Sequence, residues 1–216
     1  MKQAVYFIPG MSASSKIFER IHLPKHLYDV YYLDWLQPLD SKEPLAKYID
    51  RLLLQIQHPN PIVVGVSFGG IIAQEIALKI STKQVIIISS IKHQQEKRPF
   101  FTFLVNTKLY RLYPPSLVNF LEKTIYSLSS KRIRKTLETY RTFLPIRNTV
   151  YTRWAIHTFL NWKCKQSVKL IHIHGTKDPI LPHKYLSDFI EIKNGSHAMI
   201  LTKSHTLQQL LLNKMA

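Results

Sequence analysis

Short apolar runs alternate with amphipathic stretches over the first ninety residues. The apolar runs are rich in β-branched and aromatic residues and are too short for helices, which is typical of buried strands. Four of them precede residue 90, at residues 4–8, 30–33, 62–66 and 84–88. Residues 44–57 and 68–80 carry apolar residues at helical spacing instead. The alternation predicts right-handed crossovers and a parallel sheet with both faces covered by helices.

The pattern changes between residues 92 and 165. Apolar residues recur there at helical spacing, in stretches that proline and serine residues separate. These stretches lie at about 100–111, 115–126, 130–142 and 148–162. Strand-like runs return at 169–173 and 188–192, and a final helix follows. We therefore predict an α/β core of residues 1–91 and 166–216, with residues 92–165 inserted after the fourth strand as a helical cap.

A sharp turn joins the third strand to the helix that follows it. Gly65, Ser67 and Gly69 spell G-x-S-x-G at this turn, the pattern of a nucleophile elbow. A serine on so tight a turn takes a strained conformation, and glycines two residues before and after it remove Cβ atoms that would clash. An ordinary strand–helix turn with two packing glycines is the alternative. The position between a buried strand and an amphipathic helix favours a nucleophilic serine.

Asp178 is the acid best placed to support such a serine. A nucleophilic serine needs a base within hydrogen-bond reach and a carboxylate that orients the base. In parallel α/β sheets these groups lie on loops beyond the carboxyl ends of strands. Among the acids after Ser67 and outside the insertion, Asp178 alone lies in a loop directly after a strand. The others are Glu75, two turns along the elbow helix, and Asp188 and Glu191, at the last strand.

His197 is the histidine best placed to act as the base, because it lies in a glycine-containing turn after the last strand. The weaker candidates are His172, His174, His183 and His205. Each member of the predicted set also has an ordinary explanation: His197 as a solvated turn residue and Asp178 as an Asx turn before proline. Their joint occurrence behind Ser67, each at the end of a strand, favours a Ser–His–Asp triad.

Two backbone amides are candidates for an oxyanion hole. The amide of Phe68 lies at the start of the elbow helix and points toward the serine hydroxyl. The second donor is expected from the loop after the first strand, where Gly10 lets the backbone come close and Met11 follows. We therefore predict that the amides of Met11 and Phe68 stabilise a developing oxyanion.

These motifs together resemble those of the α/β-hydrolase superfamily, in particular its small capped serine esterases and lipases. The residues that carry the resemblance are 7–11, 65–70, 174–182 and 195–199. The resemblance covers about residues 1–90 and 168–216, while the insertion matches only as a generic helical cap. It implies an α/β-hydrolase fold that begins at the family's third strand, and hence about six parallel strands flanked by helices.

The resemblance also implies roles for the residues already selected. Ser67 would be the nucleophile, Asp178 the acid and His197 the base, with the amides of Met11 and Phe68 as the oxyanion hole. The expected activity is cleavage of an ester or thioester of a small acyl substrate through an acyl-enzyme, as in a carboxylesterase, without a cofactor. Alternatives on the same fold are an acyl-CoA thioesterase, a carbon–carbon bond hydrolase, a peptidase and a non-catalytic binding protein.

Composition narrows the class of protein. The chain has 216 residues and 45% hydrophobic content, enough for one α/β domain with an insertion. No apolar run reaches the ~18–20 residues of a membrane span, and the first strand begins without the features of a signal peptide. The single cysteine, Cys164, excludes an internal disulfide and fits a reducing compartment. We expect a cytoplasmic protein, and no metal-ligand spacing or nucleotide-binding glycine motif occurs in the sequence.

The formal charge of +17 is concentrated in the insertion, where 15 lysines and arginines face three acids. Our first interpretation is that these residues solvate the outside of a cap whose aromatic residues roof a pocket. The alternative is that the positive potential attracts an anionic substrate, such as an acyl-CoA thioester, or an anionic membrane surface. The only dense basic cluster in the sequence, residues 131–135, has no nucleic-acid-binding motif beside it, so no nucleic acid is expected.

Overall fold

A six-stranded parallel sheet forms the centre of the protein in this computed structural model, which describes residues 2–112, 138 and 141–215. The strands are β1 (Gln3–Ile8), β2 (Tyr28–Tyr32), β3 (Ile62–Val66), β4 (Gln84–Ile88), β5 (Ile171–Gly175) and β6 (Ile190–Ile192). Their order is β2-β1-β3-β4-β5-β6, and every neighbouring pair is parallel. The predicted sheet of six parallel strands is confirmed.

Helices cover both faces of this sheet. They include α1 (Leu45–Leu53), α2 (Phe68–Ala77), α3 (Pro99–Thr107), α4 (Thr149–Asn161), α5 (Met199–Thr202) and α6 (Ser204–Met215). Residues 138 and 141–143 are also helical. Short 3₁₀ turns lie at Ser15–Phe18, Gln94–Glu96, Leu109–Leu112 and His183–Tyr185. The final helix, predicted as one, is divided into α5 and α6 because Lys203 has a φ of −128°, outside the helical range.

Each face of the sheet has its own hydrophobic cluster. Alternate residues of one strand point to opposite faces, so Tyr6 and Ile8 belong to one cluster and Val5 and Phe7 to the other. The first, called here the α2-side cluster, also contains apolar side chains of α1, α2 and α4. The second, the α6-side cluster, contains those of the Ser15–Phe18 turn, α5 and α6. Continuous apolar strands, as the sequence showed, are what two covered faces require.

Residues 92–165 are tied into this core where the structure describes them. Trp154 of α4 is fully buried, its ring lies 4.1 Å from that of Tyr48, and its indole Nε1 donates a hydrogen bond to the Glu43 carbonyl. The predicted helical stretches 100–111 and 148–162 correspond to α3 and α4. The stretch 115–126, most of 130–142 and the basic cluster 131–135 lie outside the described residues. The division into a core and a cap stays a prediction.

A buried lysine anchors the far end of α4. Lys97 is 8% exposed, and its Nζ donates hydrogen bonds to the carbonyls of Leu160 and Trp162, at 2.9 and 2.8 Å. Burial, together with the charge of Lys163, lowers the pKa of Lys97 to about 8. The carbonyls at the end of a helix lack partners within the helix, so Lys97 supplies the hydrogen bonds that these carbonyls of α4 would otherwise lack.

None of the helices within the described ranges combines the length and apolar character needed to cross a bilayer.

Candidate active site

Ser67 lies on a strained turn between β3 and α2, at the carboxyl edge of the sheet. Its φ of 54° and ψ of −119° are a conformation that residues other than glycine rarely adopt. Hydrogen bonds hold it there: the Ser67 amide donates to the Ile88 carbonyl at 2.9 Å, and its own carbonyl accepts from Gly70 N and Ser90 Oγ. The turn therefore lifts the side chain of Ser67 out of the strand direction.

The glycines of the elbow are required by close approach of backbone. A Cβ at Gly65 would lie closer than 3.0 Å to the carbonyl group of Gly69. A Cβ at Gly69 would lie closer than 3.0 Å to the carbonyl oxygens of Ile8, the last residue of β1, and Pro9, the first residue of the loop after it. The two glycines of the G-x-S-x-G pattern are thus needed because any side chain at residue 65 or 69 would prevent α2 from packing this closely against the sheet.

We expect Gly69→Ala to lower the free energy of unfolding by about 1–3 kcal/mol, the usual cost of overpacking, because its Cβ meets rigid backbone rather than a flexible side chain. Gly10→Ala is the matched control, since its Cβ would meet Ser67 Cβ at 3.5 Å, an ordinary contact. Urea denaturation midpoints measure both effects. Equal midpoints for the two variants would contradict this account of the elbow.

Three polar side chains form a hydrogen-bonded line at this edge. His197 Nε2 lies 2.9 Å from Ser67 Oγ, and His197 Nδ1 lies 2.7 Å from Asp178 Oδ2. An ionised carboxylate only accepts hydrogen bonds, so Nδ1 carries the proton and the Ser67 hydroxyl donates to Nε2. Of the candidate histidines, all of which lie in the described part of the chain, His197 is the one bonded to Ser67.

Asp178 is buried and fixed by the backbone of its own loop. Its Oδ1 accepts hydrogen bonds from the amides of Ile180 and Leu181, both at 2.9 Å. Burial by itself raises the pKa of Asp178, but the hydrogen bond and charge of His197 and the Leu181 amide outweigh it and lower the pKa below its ordinary value. The carboxylate is therefore charged at neutral pH and faces His197 through the remaining oxygen.

Two further histidines lie on β5, with ring centroids 5.3 Å apart, and were only weak candidates in the sequence. His174 is fully buried on β5; its Nε2 donates to the Leu181 carbonyl at 2.8 Å and lies 3.4 Å from Asp178 Oδ2. Burial lowers the pKa of His174, and it lowers the pKa of His172 to about 3. Both rings are therefore neutral near pH 7. His174 holds the loop that carries Asp178, a role that no local sequence signal indicated.

The loop after β1 lies next to Ser67. Gly10 approaches Ser67 Cβ, and Met11 and Phe68 line the same cavity as Ser67. The Gly10 carbonyl accepts hydrogen bonds from Ala13 N and from the indole Nε1 of Trp35, both at 3.0 Å. Neither the Met11 amide nor the Phe68 amide has a hydrogen-bond acceptor among the residues that the structure describes. Trp35, which also stacks on Phe68, is a positioning residue that sequence reasoning missed.

A cavity of about 720 Å³ opens over this edge, within the size range of small-molecule sites. Ser67 and His197 contribute to its wall, and most of the remaining lining is apolar. No group of three histidine, cysteine or acidic side chains suited to a metal ion occurs among the residues that the structure describes. At the carboxyl edge of the sheet, a hydrogen-bonded hydroxyl, imidazole and carboxylate therefore lie beside a largely apolar cavity.

Comparison with known proteins places the chain in a family. It matches the model of the alpha/beta hydrolase family over residues 5–208, and no curated protein matches it. Similar solved structures include an esterase from Exiguobacterium antarcticum, with 15% identity, coverage of 98% of this chain and 91% of that one, and a TM-score of 0.65. A bromoperoxidase from Bacillus anthracis has 19% identity, 98% and 91% coverage and a TM-score of 0.66.

A hydrolase from Oleispira antarctica reaches a TM-score of 0.69, with 15% identity and coverage of 99% of this chain and 90% of that one. At such identities a likeness between structures establishes the shared fold. The family model, in contrast, spans nearly the whole chain. The protein belongs to the alpha/beta hydrolase family.

Proposed function

We propose that the protein is a serine hydrolase that cleaves an ester or thioester through an acyl-enzyme, with Ser67, His197 and Asp178 as its triad. The observation that carries this proposal is the unbroken line of hydrogen bonds from Ser67 Oγ through His197 to Asp178, facing a cavity. A nucleophile, a base within 2.9 Å and a buried carboxylate that orients the base are the parts that acyl transfer needs.

The first half of the reaction transfers the acyl group to Ser67. As Oγ attacks the carbonyl carbon, His197 Nε2 takes the hydroxyl proton, and Asp178 stabilises the imidazolium that results. The amides of Met11 and Phe68 donate to the oxyanion of the tetrahedral intermediate; removing one such donor typically costs about 3 kcal/mol of barrier. The bond to the leaving group then breaks, and His197 returns the proton to the departing oxygen or sulfur.

The second half returns the enzyme to its starting state. Water attacks the acyl-enzyme, His197 takes a proton from that water, and the same two amides hold the second oxyanion. The bond between the acyl carbon and Ser67 Oγ breaks, the acid is released, and the proton on His197 passes back to Ser67. Since Asp178 is already charged, it contributes orientation and charge without exchanging a proton.

Covalent labelling tests this proposal. A fluorophosphonate should phosphonylate the native protein at Ser67, mapped by peptide mass spectrometry, and should fail on heat-denatured protein. Ser12→Ala is the matched control, because Ser12 lies in the loop next to Met11 and also has a positive φ, of 63°, yet it has no proposed role. It should label like the native protein. Labelling at another residue, or equal labelling of native and denatured protein, would contradict the proposal.

A substrate panel separates the reactions that share this triad. Esters and thioesters of equal acyl length, an amide and a β-diketone represent esterase, thioesterase, peptidase and carbon–carbon bond hydrolase. We expect the oxygen ester and the thioester to have the highest kcat/KM, because their leaving groups need the least assistance. A preference for the amide or the diketone would redirect the proposal within the family.

A further inference from the structure

The walls of the cavity come from both faces of the sheet. Ala13, Ile17 and Ile200 of the lining belong to the α6-side cluster, and Leu144 and Leu201 pack against it. We call this part the α5 lobe. Ser67 stands where the two sides meet, since Val66 before it belongs to the α6-side cluster and Phe68 after it to the α2-side cluster.

The other side of the cavity is built by α3 and α4, which pack against each other and against the Leu109–Leu112 turn. Phe101 and Phe159 line it and pack against the α2-side cluster, and Leu104 and Ile156 extend the apolar wall. We call this part the α3 lobe. Ser67 therefore lines one cavity together with apolar side chains from both sides of the sheet.

Neither lobe offers a charged group in the part of the lining that the structure describes. The polar side chains of the lining are Ser67, His197 and Tyr110. The Tyr110 hydroxyl already has two partners: it is hydrogen-bonded to His157 Nδ1 at 2.9 Å and accepts from Asn161 Nδ2 at 3.1 Å. A carboxylate, phosphate or sugar in either lobe would lose water without gaining a partner, which is costly.

We propose that the substrate is apolar on both sides of the scissile bond: an uncharged ester with a hydrocarbon acyl group and a hydrocarbon alcohol or thiol, one half in each lobe. This inference rests on the proposed function, because it takes Ser67 as the attacking group. It disfavours an acyl-CoA thioester, whose leaving group carries phosphates at one end. The basic residues of the insertion that the structure describes lie outside the lining of the cavity and would not select the substrate.

Two series of esters test the inference. In one, the leaving group is p-nitrophenol and the acyl chain grows from acetyl to dodecanoyl; in the other, the acyl group is butanoyl and the alcohol grows from methanol to octanol. We expect kcat/KM to rise in both series, by up to about fourfold per methylene while the chain still fits. A rise in one series with a flat or falling response in the other overturns the proposal.

Filling each lobe with a bulky side chain shows whether that lobe binds the acyl half or the alcohol half of the substrate. Leu104→Trp narrows the α3 lobe and Leu201→Trp narrows the α5 lobe, while Leu39→Trp, at a residue that is 72% exposed and outside the lining, is the matched control. Each lobe variant should shorten the optimum of one series, a different one in each case, whereas Leu39→Trp should leave both optima where they are in the native protein. Identical effects of the two variants on both series overturn the proposal.

Two more outcomes complete the test. A butanoyl-CoA thioester cleaved with a higher kcat/KM than S-butyl thiobutanoate would overturn the inference. If a fluorophosphonate labels Ser67 and p-nitrophenyl acetate is cleaved, but neither series responds to chain length, this inference fails and the proposed function stands. If Ser67 is not labelled and no ester is cleaved, both fail together.

Discussion

Ser67→Ala should lower kcat/KM for p-nitrophenyl butyrate by a factor of about 10⁴ or more. The variant lacks the atom that forms the acyl-enzyme, so turnover is left to water activated by His197 beside the two oxyanion-hole amides. Steady-state hydrolysis with a large excess of variant protein measures the residual rate. A loss smaller than about tenfold would show that Ser67 is not the nucleophile.

The loss has to be separated from a loss of folding. Alanine at residue 67 keeps the strained φ of 54° and every backbone hydrogen bond of the turn, so we expect the free energy of unfolding to change by less than about 0.5 kcal/mol. Ser12→Ala should keep both stability and activity. Urea denaturation of the three proteins, together with their circular dichroism, shows whether the lost rate belongs to chemistry alone.

The sheet was predictable from the sequence because parallel strands covered on both faces are continuous apolar runs. Strands β3 and β4 have the residues that the pattern indicated, 62–66 and 84–88. The last strand is shorter than predicted, Ile190–Ile192 instead of 188–192, because Asp188 has a φ of 44° and is not extended. Local conformations of this kind leave little trace in hydrophobic periodicity.

The candidate site was predictable where chemistry and spacing are local, and not where support comes from distant residues. The elbow places its serine and glycines within five residues, so its pattern is visible in the chain. Trp35 holds the loop after β1, and Tyr151 accepts a hydrogen bond from the Ser12 amide across 139 positions. In the sequence, Lys97 is indistinguishable from the other basic residues of the insertion, and only the structure shows that it is buried. Such roles depend on tertiary packing and have no signature in sequence.

Asp178→Asn should lower kcat/KM by about 10⁴ while leaving the fold intact, as expected when the base is held in the wrong tautomer. The amides of Ile180 and Leu181 donate to Oδ1, so the carbonyl oxygen of an asparagine must take that position. Its NH₂ group then faces His197 Nδ1, which has to accept. The imidazole proton moves to Nε2, where it blocks removal of the proton from Ser67.

Asp188→Asn is the matched control for this variant, because Asp188 also lies in a loop near β6 but is exposed and does not line the cavity that contains Ser67. Its activity should remain within about twofold of the native value, the ordinary scatter of a surface substitution. Activity of Asp178→Asn within tenfold of the native protein would contradict the assignment of Asp178. Fluorophosphonate labelling should slow in parallel, since it depends on the same activation of Ser67.

The same variant should also change how stability depends on pH. The folded pKa of Asp178 is lowered, so in the acidic range the unfolded chain binds more protons than the folded one, and stability rises with pH. The contribution of the charged carboxylate is complete above the pKa of an unfolded aspartate, about 4, and disappears as pH falls through the lower folded pKa.

The unfolding free energy of the native protein minus that of Asp178→Asn should therefore be larger at pH 6 than at pH 3, as urea denaturation at both pH values will show. A difference that is the same at both would mean that the charge on Asp178 is not stabilised by His197 and the Leu181 amide.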